Sequence, residues 1–314
     1  MSKLLSIVIP AYNEEANIAN TAKTVLDLMD AACINCELVF VSDGSKDATF
    51  DKIQAEAQKD RRVRGVEFSR NFGKEAAILA GLATGKGDCF VVMDCDLQHP
   101  PQTIVEMYRL WEEGYEVIEG IKSSRGKESR LHKKLSNLFY GILTKFTGFN
   151  MHNTSDFKLI DKKVAQVLLS MPERKTFFRA LTFWTGFKSC QIQYDVQQRT
   201  AGETKWSSGA LVRYAVTNII SFSSKPLNIV TYIGVISLFV SLVLSIQTLV
   251  RWICGSAIEG FTTVILLLLI IGGCILIGLG VIGQYIAAIF EEVKQRPRYI
   301  ISKDTQGGNH REGL

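Results

Sequence analysis

The sequence predicts an α/β domain with a mostly parallel, Rossmann-like sheet, followed by an interfacial helix and two transmembrane helices. Over the first 120 residues, short apolar runs alternate with segments whose apolar residues recur at helical spacing. Repeated strand–helix units of this kind form a parallel sheet covered by helices on both faces. Near the C terminus, residues 226–250 and 260–290 contain no charged residue, and about 20 apolar residues are enough to cross a bilayer. The mean hydropathy of +0.13 is therefore the average of a polar domain and two apolar spans.

The alternating region predicts five strands and four helices. The first strand is a short apolar run that ends at a proline, which indicates a buried strand. The strands are expected at Leu4–Pro10, Glu37–Ser42, Val63–Phe68 and Asp88–Asp94, with a fifth beginning at Glu116–Glu119. The helices between them are expected at Asn17–Asp30, Asp47–Lys59, Lys74–Thr84 and Pro100–Glu113. The last helix begins with proline, whose missing N–H costs nothing at that position.

Residues 122–225 have a weaker pattern. We expect helices at Leu135–Phe146 and Lys162–Ser170, strands at Phe157–Ile160 and Gln191–Gln197, and an aromatic-rich segment at Phe177–Trp184. Residues 208–225 mix apolar side chains with Arg213 and Asn218, which favours a helix in the membrane interface; a surface helix of the globular domain is the alternative. The expected domains are a cytoplasmic domain at 1–207, a juxtamembrane helix at 208–225, two spans at about 227–250 and 261–287 within 226–290, and a cytoplasmic tail at 291–314.

The charge distribution indicates the orientation. The tail after Phe290 is basic, and the positive-inside rule places such a segment in the cytoplasm. No cleavable signal peptide is recognisable at the start, so two crossings would put both termini in the cytoplasm. A net charge of +5 is too mild to indicate nucleic acid, and none is expected as a partner. Five glycines in the second span predict close helix packing, within the chain or in a homo-oligomer.

Polar residues follow three predicted strands at the edge where ligands of open α/β sheets bind. Pro10–Glu14 follow the first strand, Asp43 the second, and Asp94–Gln98 the fourth. A D-x-D pair can hold Mg²⁺, which usually also bridges to substrate phosphates, and Gln98 is a possible further oxygen ligand. The sequence has neither the G-x-G-x-x-G motif of dinucleotide-binding folds nor the G-x-x-x-x-G-K-[ST] motif of a P-loop, so neither of these nucleotide-binding sites is supported.

Four runs in this order resemble the family 2 glycosyltransferases of GT-A fold: IVIPAYNEEANI, VSDGSKDAT, FSRNFGKEAAILAGL and VVMDCDLQHPP. Within that family the chain resembles the polyprenyl-phosphate sugar synthases, in particular the bactoprenol glucosyltransferase group, which is related to dolichol-phosphate mannose synthase. The resemblance covers essentially the whole chain.

This resemblance implies an enzyme of the bacterial inner membrane that needs Mg²⁺ or Mn²⁺. It would transfer one sugar, with inversion, from a nucleotide diphosphate sugar to undecaprenyl phosphate, for later glycosylation of cell-envelope polymers. Glucose from UDP-glucose is favoured, with UDP-N-acetylglucosamine or GDP-mannose as alternatives. Two other readings are a processive polysaccharide synthase and a non-catalytic membrane anchor or accessory protein.

The resemblance also implies residue roles. The residues matching nucleotide-sugar contacts are Pro10, Tyr12, Asn13, Glu14, Asp43, Lys74 and Asp94. The metal ligands would be Asp94, Asp96 and Gln98. The expected acceptor-phosphate ligands are Lys122, Arg125, Arg199 and Lys205, the last two within an R-x-x-G-x-[ST]-K match.

Asp156 and Asp96 are the expected catalytic residues. The stretch Ser155–Leu159 resembles the family's G-D-F-R-L segment, which places Asp156 at the acid proposed as the base. A phosphate monoester has a second pKa of about 6 and is largely dianionic at pH 7. Such an acceptor hardly needs a base, so Asp156 could equally orient groups or shape the charge of the site. His99 is expected to be a hydrogen-bonded surface or loop residue.

Overall fold

The computed structural model describes residues 3–122, 155–174, 176–195, 225–254 and 261–307. They belong to two compact units. The first unit contains the sheet and also the residues from 296 onward, and the second contains two long helices.

The first unit is built on an eight-stranded mixed sheet. Its strands are β1 (Leu5–Ala11), β2 (Cys36–Ser42), β3 (Val63–Phe68), β4 (Cys89–Val92), β5 (Val117–Lys122), β6 (Lys158–Asp161), β7 (Ser189–Tyr194) and β8 (Ile301–Asp304). Their order is β7-β5-β6-β4-β1-β2-β3-β8. β1 lies between β2 and β4 and is parallel to both. Because β6 is antiparallel to β4 and β5, the carboxyl ends of β4 and β5 share one edge with the start of β6.

Helices cover both faces of this sheet. They are α1 (Ile18–Ala31), α2 (Thr49–Lys59), α3 (Lys74–Thr84), α4 (Gln102–Glu112), α5 (Lys162–Ser170) and α6 (Phe178–Trp184). α1 buries Ile18, Ala22, Val25 and Met29 against alternate residues of β1, because their spacing places them on one side of the helix. α3 lies so close to β1 that a Cβ on Gly81 would collide with Val8.

The elements expected over the first 120 residues are all present. Their ends differ from the prediction by two residues or fewer, and β3 and α3 coincide with it. The aromatic-rich segment forms α6, and the helix predicted at Lys162–Ser170 is α5. The parallel sheet is interrupted at β6 and β8, which both run antiparallel to their neighbours.

The sequence assigns residues 291–314 to a tail, whereas four of them form strand β8 along the edge of β3. The Ser69 N–H donates to the Ile300 carbonyl (3.0 Å), and the Gly65 N–H donates to Thr305 Oγ1 (3.0 Å). β8 has only four residues and buries few of its side chains, so its sequence shows no clear alternation of apolar and polar residues that would predict a strand.

The second unit contains α7 (Lys225–Ile253) and α8 (Phe261–Val293). Within them, Pro226–Leu244 and Ile270–Val293 have mean hydropathies of 2.3 and 2.0, and both helices are long and apolar enough to cross a membrane. A Cβ on Gly278 would lie 3.0 Å from Val230, so the helices pack closely at this glycine. The interfacial helix predicted at 208–225 lies outside the described residues, apart from its last position.

Candidate active site

A cavity of about 460 Å³ opens at the carboxyl ends of β1, β2 and β4. Ligand pockets usually have volumes of this order. It is lined by Pro10, Ala11, Tyr12, Glu14, Asp43, Asn71, Gly73, Lys74, Ala77, Asp94, Cys95 and Asp96. Six of the seven residues predicted to bind the nucleotide sugar are among them, and Asn13 is the exception.

Asn13 connects the loops that follow β1 and β2. Its backbone has a positive φ of 54°, which asparagine tolerates better than most residues. Its Oδ1 accepts a hydrogen bond from the Lys46 N–H (2.9 Å), and its own N–H donates to Ser45 Oγ (3.2 Å). These contacts fix the loop that contributes Tyr12 and Glu14 to the cavity, and the Tyr12 side chain is exposed.

Asp43 is buried at the end of β2 and binds the loop that precedes α3. Its two carboxylate oxygens accept the N–H groups of Phe72 (2.6 Å) and Gly73 (2.9 Å). Burial raises the pKa of Asp43, and the two backbone donors oppose that shift. A Cβ on Gly44 would collide with the Arg70 backbone, so only glycine allows this close approach.

The D-x-D motif forms a tight turn after β4. Leu97 has a positive φ of 55°, and the Gln98 N–H donates to Asp96 Oδ1 (3.1 Å). The carboxylates of Asp94 and Asp96 border the cavity, whereas Gln98 is not among its lining residues. Thr21 of α1 donates from its Oγ1 to the Cys95 carbonyl (2.7 Å), so α1 holds the turn in place.

His99 lies in the loop after β4, as predicted, but it is buried rather than at the surface, because its ring packs in an aromatic cluster. It stacks on Phe157 with ring centroids 4.6 Å apart and meets Tyr194 edge-on at 5.6 Å. Burial lowers the pKa of His99, which keeps the imidazole neutral. The Asp94 N–H donates to its Nδ1 (3.3 Å), so His99 holds the backbone of the first motif aspartate.

Asp156 precedes β6 and is held by two cations. Arg179 of α6 forms a two-pronged pair with it, Nε to Oδ1 at 2.6 Å and a terminal nitrogen to Oδ2 at 2.8 Å. Lys74 lies 3.0 Å from Asp156 Oδ2 and 2.5 Å from Asp94 Oδ1. Lys74 therefore connects the D-x-D motif to Asp156 through one ammonium group.

This network fixes the protonation states. Burial alone would raise the pKa of Asp156, but the hydrogen bonds from Arg179 and the charges of Arg179 and Lys74 hold it far below the ordinary range. Burial would likewise raise the pKa of Asp94, and Lys74 lowers it overall. The Lys74 pKa is raised because the two carboxylates outweigh its desolvation. Both carboxylates are thus ionised at neutral pH, and Asp156 is a very weak base.

Glu75, in the first turn of α3, is a further acid beside this network. Its Oε2 accepts the Phe178 N–H (2.8 Å), which ties α3 to the start of α6. Burial, reinforced by the charge of Asp156, raises its pKa to about 7.

Ser155, which precedes Asp156 in the chain, donates from its Oγ to the Gly120 carbonyl (2.6 Å), so this serine holds the segment of Asp156 against β5.

Only one of the four predicted acceptor-phosphate ligands lies among the described residues. Lys122 is exposed at the carboxyl end of β5, on the same edge of the sheet as the D-x-D motif. Arg125, Arg199 and Lys205 lie outside the described residues.

The D-x-D carboxylates fit a hard divalent cation. In the described part of the chain, no three His, Cys, Asp or Glu side chains converge as a metal cage. Mg²⁺ is commonly bound by one or two carboxylates, with water and substrate phosphates completing its shell. Asp94 and Asp96 supply that number, and the Lys74 ammonium beside Asp94 indicates that the position already favours positive charge.

Sequence reasoning missed Arg179 and Glu75, and it named His99 without assigning it to the site. Arg179 contacts an acid 23 positions earlier, and nothing in the local pattern reveals that partner. Glu75 lies inside the run FSRNFGKEAAILAGL, and His99 directly follows Gln98 of the predicted metal site. Their proximity in the sequence to predicted site residues was therefore the signal that could have identified both.

Comparison with known proteins agrees with this architecture. Residues 6–169 match the model of glycosyl transferase family 2. The chain is 38% identical to an uncharacterized glycosyltransferase of Bacillus subtilis, YkcC, over 95% of this chain and 93% of that protein. It is 36% identical to the bactoprenol glucosyl transferase of Shigella phage SfII, over 96% of this chain and 99% of that protein.

A solved structure has a similar fold. Glucosyl-3-phosphoglycerate synthase from Mycobacterium tuberculosis, in complex with Mn²⁺, UDP and glucosyl-3-phosphoglycerate, aligns with a TM-score of 0.54 at 20% identity. The alignment covers 70% of this chain and 80% of that one. The family match and the similar fold thus show a glycosyltransferase of GT-A fold. The chain belongs to glycosyl transferase family 2, in the group of the bactoprenol glucosyl transferases.

Proposed function

We propose that this glycosyltransferase moves a single glucose, with inversion, from UDP-glucose to a polyprenyl phosphate at the cytoplasmic face of a bacterial inner membrane. The relatives named bactoprenol glucosyl transferase support the sugar and the lipid carrier. The structural neighbour in complex with UDP and Mn²⁺ supports a uridine donor only by analogy of fold. The observation that supports the chemistry best is the pair Asp94 and Asp96 at the cavity, next to Asp156 and its two cations.

The donor would bind at the ends of β1, β2 and β4. Tyr12 and Asp43, which line the cavity, would contact the nucleoside, and Lys74, also in the lining, would contact its diphosphate. Asp94 and Asp96 would hold a Mg²⁺ or Mn²⁺ ion, which when bound supplies positive charge to the leaving diphosphate. Lys74 would add to the same stabilisation once the diphosphate replaces Asp94 as its partner.

The transfer is a single displacement. A phosphate oxygen of the acceptor attacks the anomeric carbon, the bond from that carbon to the donor diphosphate breaks, and the nucleoside diphosphate leaves with the bonding electrons. Because the acceptor is already ionised at pH 7, no proton has to be removed. Asp156, held ionised by Arg179 and Lys74, is suited to position these cations rather than to accept a proton.

The topology of the sheet supports a location of both ends of the described chain on the same side of the membrane. β8, which follows α8, pairs with β3, which precedes α7, so the same sheet contains residues from before and after the apolar helices. If both helices cross the membrane, both ends of the described chain return to the side of the sheet. The basic residues after Phe290 favour the cytoplasm for that side. A homo-oligomer stays a prediction.

Lipid labelling tests the function. Membranes that contain the full chain would be incubated with radiolabelled UDP-glucose, UDP-N-acetylglucosamine or GDP-mannose and Mg²⁺ or Mn²⁺, and the lipid extracted. We expect UDP-glucose to label an acid-labile lipid. Labelling by another donor would change the sugar assignment, and labelling by none would favour a non-catalytic anchor.

Asp96→Asn provides the matched variant. It removes one carboxylate charge with little change of shape, so the protein should still insert while transfer is lost. Glu106→Gln, on the exposed part of α4, is the control for a lost acid outside the site. Near wild-type turnover by Asp96→Asn would remove the metal assignment.

A further inference from the structure

Tyr299, just after α8, packs against the end of β3. It is only 7% exposed, and its ring stacks on Phe68 with centroids 5.0 Å apart and an angle of 14° between the planes. Phe68 in turn contacts the edge of Phe72 at 5.7 Å. An aromatic row thus runs from Tyr299, through the last residue of β3, into the loop 69–73 that precedes α3.

Backbone and polar contacts hold the segment 298–305 along the same strand. The Ser69 N–H donates to the Ile300 carbonyl (3.0 Å), Ser302 Oγ donates to the Glu67 carbonyl (3.0 Å), and Lys303 pairs with Glu67 (2.8 Å). The register shifts between Glu67 and Phe68. Such irregularities redirect the side chains that follow them and are common beside functional sites. The segment therefore fixes the point where β3 ends and the loop begins.

The loop that this segment supports forms one wall of the donor cavity. Asn71 and Gly73 line the cavity directly. The N–H groups of Phe72 and Gly73 bind the two oxygens of Asp43, which also lines it. Gly73 has a φ of 98°, which strongly favours glycine, so the backbone conformation of this loop is restricted.

We propose that the segment 298–305 is a working part of the donor site, in which Tyr299 is a positioning residue for the loop that binds Asp43. The inference rests on the proposed function and adds to it a contribution from the C-terminal end of the chain. Tyr299 acts through Phe68 and Phe72 and does not touch the donor. Because the segment follows α8 directly in the chain, the donor cavity is complete only when the chain after the second apolar helix is present.

The test compares Tyr299→Ala with Tyr299→Phe in the full-length protein in nanodiscs. The measurements are the Kd for UDP with Mn²⁺ by calorimetry, and kcat and KM for UDP-glucose with a polyprenyl phosphate acceptor. Tyr299→Ala should raise the Kd and the KM about three- to tenfold, the range for a lost aromatic contact. It should leave kcat within about twofold, because the reacting groups lie elsewhere. Tyr299→Phe keeps the ring and should match the wild type.

Two further variants separate positioning from loss of fold. Tyr299→Leu keeps an apolar side chain if the alanine variant fails to fold, and it should raise the Kd for UDP in the same direction. Tyr115→Ala removes a tyrosine of the same unit outside the cavity, where its ring contacts Lys188, and should leave the Kd unchanged. If Tyr299→Leu or Tyr299→Ala lowers the Tm but keeps the wild-type Kd, the segment is merely structural and the inference is overturned. If the wild type itself binds no UDP, the uridine donor of the proposed function fails instead.

Discussion

Replacement of Arg179 by glutamine is the most informative perturbation of the active site. The guanidinium makes two contacts of 2.6 and 2.8 Å with a carboxylate that is only 7% exposed. Glutamine keeps a polar but shorter side chain, and it removes the positive charge and the planar two-pronged contact. Asp156 would then keep Lys74, at 3.0 Å, as its charged partner from this network.

The size of the effect follows from this remaining partner. Breaking a buried ion pair by removing one side costs about 3–5 kcal/mol. Lys74 still compensates part of the charge, so we expect about 2 kcal/mol of lost unfolding free energy at pH 7. The Asp156 pKa is depressed, so this stabilisation is present above the ordinary carboxyl value of 3.8 and is lost as pH falls below it. For catalysis, a displaced Asp156 and Lys74 should lower kcat by about 100-fold, a loss that a misplacement of about 1 Å can cause.

The assay is the pH profile of transfer to a polyprenyl phosphate, together with thermal unfolding. In the wild type, titration of Asp156 should not limit the rate between about pH 5 and 8. In Arg179→Gln the Asp156 pKa rises toward the ordinary value, so an acid limb should appear below about pH 5 that the wild type lacks there. Arg179→Lys should recover part of the rate. Arg109→Gln, a surface arginine paired with Glu112, is the matched control. The reasoning fails if Arg179→Gln keeps the wild-type kcat, or if the wild type has an acid limb above pH 5 that Asp156→Asn removes.

Three other measurements follow from the site. Because the pKa of Glu75 is raised from 4.5 to about 7, the folded chain keeps a proton that the unfolded chain releases between these two pH values, so stability falls as pH rises from 4.5 to about 7. In Glu75→Gln the Tm should lose this fall with pH, and an unchanged plot of Tm against pH would contradict the pKa shift. His99→Phe keeps the stack on Phe157 but removes the acceptor for the Asp94 N–H, so the Mn²⁺ concentration for half-maximal transfer should rise about fivefold, whereas an unaltered requirement would show that this bond does not matter. Chelation of divalent ions should abolish transfer, and added Mg²⁺ or Mn²⁺ should restore it; full activity after chelation would refute the metal role of Asp94 and Asp96.

The strand-end residues could be placed from the sequence because the topology determines their position. Tyr12, Asp43 and Asp94 each follow a strand of a parallel sheet, and the carboxyl ends of parallel strands meet at one edge. Asp156 could not be placed in this way, since it precedes an antiparallel strand and only the family resemblance indicated it. That resemblance specified the acid and not the two cations that hold it.

The parts that were missed depend on long-range contacts. Arg179 has no local signal, because a lone arginine in an aromatic-rich segment is typical of a surface helix. β8 has only four residues and contacts a strand more than 230 positions earlier, and no hydrophobic period can show such pairing. The part played by Tyr299 therefore became visible only when its ring was seen against Phe68.

The charges of the site suit an acceptor that arrives already ionised. Asp94 and Asp156 pair with two cations, Lys74 and Arg179, and Asp96 adds a carboxylate at the cavity, so these five groups leave one net negative charge. A divalent ion at the first two aspartates would make these five groups net positive, which would favour the binding of a diphosphate and a phosphate dianion. A hydroxyl acceptor would instead need a basic group, and the strongly depressed pKa of Asp156 makes it a poor one. The same network that makes Asp156 a poor base is therefore compatible with the proposed phosphate acceptor, which needs no base.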